Sequence, residues 1–72
     1  MNHINPQKLH NSKWTAIKPS HKEKHFIVIE ITFDDEGISV TSCKIEAVMT
    51  KSVKEIDWHE LKNNQLWIQG WK

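Results

Sequence analysis

The run from Phe26 to Phe33 constrains this chain more than any other stretch, because every residue in it except Glu30 is apolar, β-branched or aromatic. Such residues suit a pleated, extended backbone, and the odd positions Ile27, Ile29, Ile31 and Phe33 make one unbroken apolar face. Asp34-Asp35-Glu36-Gly37 follows, with acids suited to early turn positions and a glycine able to take positive φ, and β-character resumes at Ile38. The pattern predicts a long central hairpin.

The second arm changes parity. Ile38 and Val40 fall on even positions but Ile45, Ala47 and Met49 on odd ones, so the inward face switches between Thr41 and Lys44. A one-residue bulge there, or a break into two strands, accounts for the switch. Three further strands are expected. Trp14-Thr15-Ala16-Ile17 reads as an edge strand stopped by Lys18-Pro19-Ser20, Val53 to Asp57 as a strand with Ile56 inward, and Leu66 to Trp71 as the last. Asp57-Trp58-His59-Glu60 fits a capping box, in which the Asp57 carboxylate accepts from first-turn amides and Glu60 reaches back to the Asp57 amide. A helical turn is therefore expected over 58–62, ending at Asn63-Asn64, residues tolerant of left-handed backbone. The fold class is mainly β: a small five-stranded SH3-like barrel or a strongly curled antiparallel sheet, with one short helical turn near 58–62. Residues 1–11 are polar, contain Asn-Pro and lack periodicity, which predicts a flexible N-terminal arm before a single small β-rich domain over 12–72.

At 72 residues, 38 % apolar and 26 % charged, the chain buries only about 60 % of its unfolded surface, so nearly every large apolar residue is needed for the core. Little is left to enclose an active site. The single Cys43 excludes an internal disulfide and a cysteine-based zinc or redox motif, and points to a reducing, cytoplasmic compartment. No apolar run approaches the roughly 20 residues that span a bilayer, so no membrane role is expected.

The net charge of +1 hides an asymmetry: residues 1–25 carry +4, residues 26–60 carry −5 and the last twelve +2. All ten cations are Lys, and without Arg there is no planar fork for bidentate recognition of guanine or phosphate.

Ser12-Lys13-Trp14-Thr15-Ala16, Pro19, Lys22-Glu23-Lys24-His25-Phe26, Glu46-Ala47-Val48-Met49-Thr50-Lys51, Trp58, Leu61-Lys62, Trp67 and Gly70-Trp71-Lys72 together resemble a short bacterial tryptophan-rich family of uncharacterised function. The resemblance covers residues 9–72. Ser52 stands where the family pattern has a basic residue, and Asp57 where it has Pro. The resemblance implies a stand-alone bacterial protein and brings no activity, cofactor or catalytic residue with it.

Four Trp are the strongest compositional signal. Each serves either as packing or as a contact residue. In an extended last strand Trp67, Gln69 and Trp71 share one face and Leu66, Ile68 and Gly70 the other; if Leu66 and Ile68 point inward, Trp67 and Trp71 stand exposed, about 13 Å apart. Trp14 is interleaved with Lys13, Lys22 and Lys24, as in a platform for single-stranded nucleic acid. His21 and His25 have a zinc-like spacing only on a helix, which Pro19 disfavours, and no metal or cofactor is expected. Cys43 with a His or Asp offers a nucleophilic pair, and Glu46 or Glu60 with His59 an acid–base pair, but neither lies in a motif. The reading is a non-catalytic binding module using Trp14, Trp67, Trp71 and Gln69 with a rim of Lys13, Lys22 and Lys24. A protein or peptide partner is expected first, and non-specific single-stranded nucleic acid is the alternative.

Overall fold

Five antiparallel strands form one open sheet in the computed structural model, which describes residues 2–72: β1 (Lys13–Ser20), β2 (Glu23–Phe33), β3 (Val40–Ala47), β4 (Val53–Ile56) and β5 (Trp67–Gln69). Their order is β4-β3-β2-β1-β5. β4 and β5 are not paired with each other, so the sheet is curled and open, the second of the two expected architectures. Two 3-10 turns, Pro6–Lys8 and Trp58–Lys62, complete the fold.

The core lies on one face only. Trp14, Phe26, Val28, Cys43, Ile45, Ala47 and Trp67 point to this inner face, where Leu61 from the second 3-10 turn and Leu9 from the chain's start cap them. The second turn links β4 to β5, the two outermost strands, and packs against β3 and β5. Asp57 caps it by accepting from the His59 amide at 3.0 Å. The other half of the expected capping box is absent: the Asp57 amide donates no bond to the Glu60 carboxylate among the described residues. The turn ends on an extended Asn63, not a left-handed one (φ −82°), whose side chain accepts from the Gln65 amide.

Two bulges explain the parity of the central hairpin. Val28 pairs with Ile45 but Glu30 with Lys44, which leaves Ile29 as an extra residue in β2; Thr32 pairs with Ser42 but Phe33 with Val40, which leaves Thr41 extra in β3. The switch expected in the second arm is present, at the first residue of its interval. A compensating switch in β2 breaks the expected odd-numbered face, so Phe26 and Val28 point inward before Ile29, and Ile31 packs against the core after it. Ile38 and Met49 were expected inward; they lie in the connections flanking β3 and are exposed.

β1 is longer and more interior than expected. Trp14, Thr15 and Ala16 pair with β5, which makes this half of the strand internal to the sheet. Beyond Ile17 it becomes an edge, and there Pro19 fits without a missing ladder donor. His21 and Lys22, both at positive φ (52° and 63°), form the two-residue turn to β2, so the His21–His25 spacing falls on a hairpin and not on a helix.

The start of the chain also departs from expectation. Instead of an arm leaving the domain at Ser12, residues 2–11 lie against it: Leu9 is 1 % exposed, Ile4 packs on the core, and the Asn2 side chain donates to the Leu61 and Trp67 carbonyls at 2.9 Å each. The physical reason is the size of the domain. A sheet with one short covering turn leaves its aromatic face open, and Leu9 closes it. Leu9→Ala is expected to lower stability by about 2–5 kcal/mol in urea unfolding, as a buried leucine does. An unchanged midpoint would show that the segment adds nothing to the fold.

Candidate functional site

The last strand decides which aromatic residues are available. Within the three residues of β5 the competition is between Trp67 and Ile68 for the inner face. A buried indole removes about 150–250 Å² from water, worth about 4–6 kcal/mol, against about 1.5–3 for an aliphatic side chain. Trp67 accordingly points inward at 7 % exposure and meets Phe26 edge-on, ring centroids 5.2 Å apart, while Leu66 in the preceding turn and Ile68 are exposed. Trp14, at 1 % exposure, is equally internal, its indole nitrogen donating to Ser12 Oγ at 2.8 Å. The expected exposure of Trp14 and Trp67 is thus corrected: neither indole offers contact surface.

Trp71 is different. Gly70 adopts φ +83°, a conformation strained for any residue with a Cβ, and this turns the chain across to the opposite, outer face of the sheet. Thr15 anchors it there, donating its hydroxyl to the Gly70 carbonyl at 2.7 Å and accepting from the Lys72 amide at 2.9 Å. The Trp71 indole nitrogen donates to the Phe26 carbonyl at 2.9 Å, and the residue remains 44 % exposed. Lys13 Nζ sits 4.9 Å from the ring centroid, His25 packs 6.2 Å away, and His25 Nε2 donates to the Lys72 carbonyl at 3.0 Å. By strand alternation Lys13, Thr15, His25 and Ile27 share this outer face with Ile68 and Val53.

Of the expected contact set, the structure brings together Trp71 and Lys13. Gln69 stays on the inner side, donating to the His3 carbonyl at 3.0 Å. Lys24 alternates to the face opposite Lys13, and Lys22 sits in the tip of the β1–β2 turn. Among the described residues no group of three or more His, Cys, Asp and Glu side chains is arranged to hold a metal ion. Cys43 is buried, and burial first, then the charges of Asp57 and Glu55, push its thiol up to about 11. His59 is paired with neither Glu46 nor Glu60; its Nδ1 lies 2.7 Å from Asp57 Oδ1, and it stacks on Trp58, centroids 4.2 Å apart. Asp57 is held below the usual carboxylate range mainly by the His59 amide, then by the His59 ring. Trp58 is half-buried, with Lys62 Nζ 4.7 Å from its centroid. Trp58 was not among the expected contact residues, although its place inside an acidic capping motif was the available signal.

These features define a small, single-layered antiparallel β protein with a buried aromatic core and two partly exposed indoles, Trp58 and Trp71, each with a lysine ammonium beside its ring. The family described as Tryptophan-rich protein (DUF2389) matches residues 12–72, and the chain belongs to it. Comparison with curated proteins and with solved structures finds no match. No helix among the described residues is long and apolar enough to cross a membrane.

Two outcomes follow from the geometry. Trp67→Ala is expected to lose about 3–5 kcal/mol of stability, as large aromatic truncations do, while Trp71→Ala loses no more than about 2; equal losses would mean that Trp71 is a core residue. The Cys43 thiol keeps its proton in the folded chain up to about 11, against 9.0 ordinarily, so its contribution is fully present below the lower value and lost as pH rises through the upper one. Wild type should therefore lose more stability than Cys43→Ala across that alkaline window, and parallel urea midpoints would contradict the burial.

Proposed function

We propose that this protein is a small non-catalytic binding module that takes a protein or peptide partner on the outer face of its sheet. One observation carries the reading: Trp71 presents a half-exposed indole, fixed by its own hydrogen bond and flanked by the Lys13 ammonium, on a face that neither 3-10 turn covers. A contact ring already held in place loses little conformational freedom when a partner buries it, which is how tryptophan anchors interfaces. Ile68 extends the apolar surface, and Lys13 sets orientation and encounter rate. The non-catalytic reading is supported by Cys43, which is buried and whose thiol burial pushes up to about 11. A lone buried cysteine also suits a bacterial cytoplasm.

Single-stranded nucleic acid is the second reading, favoured by the Lys13 cation beside an accessible ring. Salt separates the two. Contacts to 6–10 phosphates weaken roughly 10³- to 10⁵-fold between about 50 and 200 mM salt, whereas burial of an indole scarcely responds. Affinity capture with the intact chain should retain a protein at both salt concentrations, and the variant Trp71→Ala with Ile68→Ser, still folded, should lose it. Retention by that variant overturns the proposal, and capture confined to low salt transfers the site to nucleic acid.

A further inference from the structure

The edge of the sheet remote from Trp71 carries a second concavity. β3 begins at Val40, but β4 pairs with it only from Cys43 to Glu46, because the chain leaves the sheet after Ile56 and turns at Asp57 into the second 3-10 turn. Val40, Thr41 and Ser42 therefore have β2 on one side and no strand on the other among the described residues. The bulge at Thr41 contributes, since a bulged strand bends, here in the half of β3 that β4 does not follow. The result is a groove of about 580 Å³ between this free half-edge and the Ile56–Glu60 segment.

The lining of the groove has a definite chemistry. Val40, Ile56 and Trp58, all half-buried, supply apolar surface. Glu55, Asp57 and Glu60 supply carboxylates; the one lysine beside the lining is Lys62, whose Nζ stands 4.7 Å from the Trp58 ring centroid, so three carboxylates face one ammonium there. The nearest lysine in the ladder, Lys44, is bonded across to Glu30 at 3.3 Å. Glu60 is free because it does not reach back to the Asp57 amide, and Glu55 and Glu60 form no ion pair among the described residues. The Asp57–His59 pair and the His59–Trp58 stack hold one wall in place.

We propose that this groove takes an extended peptide segment with an aliphatic side chain between lysine or arginine residues, added as a strand to the free half-edge of β3. The backbone of Val40–Ser42, about 10 Å long at standard rise, supplies the ladder positions. Successive residues of an extended peptide point to opposite sides, so an aliphatic side chain can turn onto Val40, Ile56 and Trp58 while its basic neighbours meet Glu55 and Glu60. The same carboxylates repel a nucleic-acid backbone, which sets this site apart from the one at Trp71. The proposal stands independently of that outer-face reading.

The test is an amide and indole NMR titration of the full chain with acetyl-Lys-Val-Lys-Val-Lys-amide. Expected are shifts at the amides of Val40, Thr41 and Ser42 and at the Trp58 indole, with the Trp71 indole still. The all-glutamate counterpart and a peptide N-methylated at the central lysine should each bind at least about tenfold more weakly. Glu55→Lys with Glu60→Lys, both at exposed positions, should weaken binding to the same degree, and Trp71→Ala should not. Equal binding of the acidic and basic peptides, insensitivity to N-methylation, shifts centred on Trp71, or no shift at millimolar peptide would each overturn the assignment.

Discussion

The edge-on contact of Trp67 with Phe26, beside the buried Trp14, is the interaction on which the rest of the molecule depends. It docks the short last strand against β1, and three ladder pairs alone would hold β5 weakly in water. Because β5 is docked, the Trp58–Lys62 turn is drawn between the two outermost strands and sets Leu61 over the inner face. Leu9 then closes the far side. A domain this small has no surplus apolar residues, so each large side chain on that face stabilises several elements at once.

Burying everything on one face leaves the other single-layered; the shortest principal extent is only 15 Å. Thr15 mediates between the two sides. Inside β1 it is 2 % exposed, yet its hydroxyl both donates and accepts, satisfying the Gly70 carbonyl and the Lys72 amide. The backbone reversal at Gly70 places the fourth tryptophan outside while the third stays inside. The candidate contact surface is thus a consequence of the same strand that completes the core.

The bulges at Ile29 and Thr41 do comparable work on the central hairpin. They let β2 and β3 keep long pairing while their inward residues change parity, and the bend they introduce separates the start of β3 from the line of β4. Curl of the sheet, the open outer face and the free half-edge are therefore linked features of one small β architecture.

Read alone, the sequence determined the local elements whose signals are short-range. The hairpin across Asp34–Gly37, the turn over 58–62 and the parity switch near Thr41 each rest on a few adjacent residues, and the family resemblance on short stretches spread over residues 9–72. Tertiary structure decided what depends on competition between distant groups. Trp67 or Ile68 inward was settled by which side chain buried more area against Phe26, and the bulge at Ile29 by the need to match the one at Thr41. Leu9 joined the core because the sheet needed a cover that local polarity did not reveal. The lysine rim dissolved for the same reason: alternation and the turn at His21-Lys22 sent Lys13, Lys22 and Lys24 to different places, and only Lys13 reached Trp71.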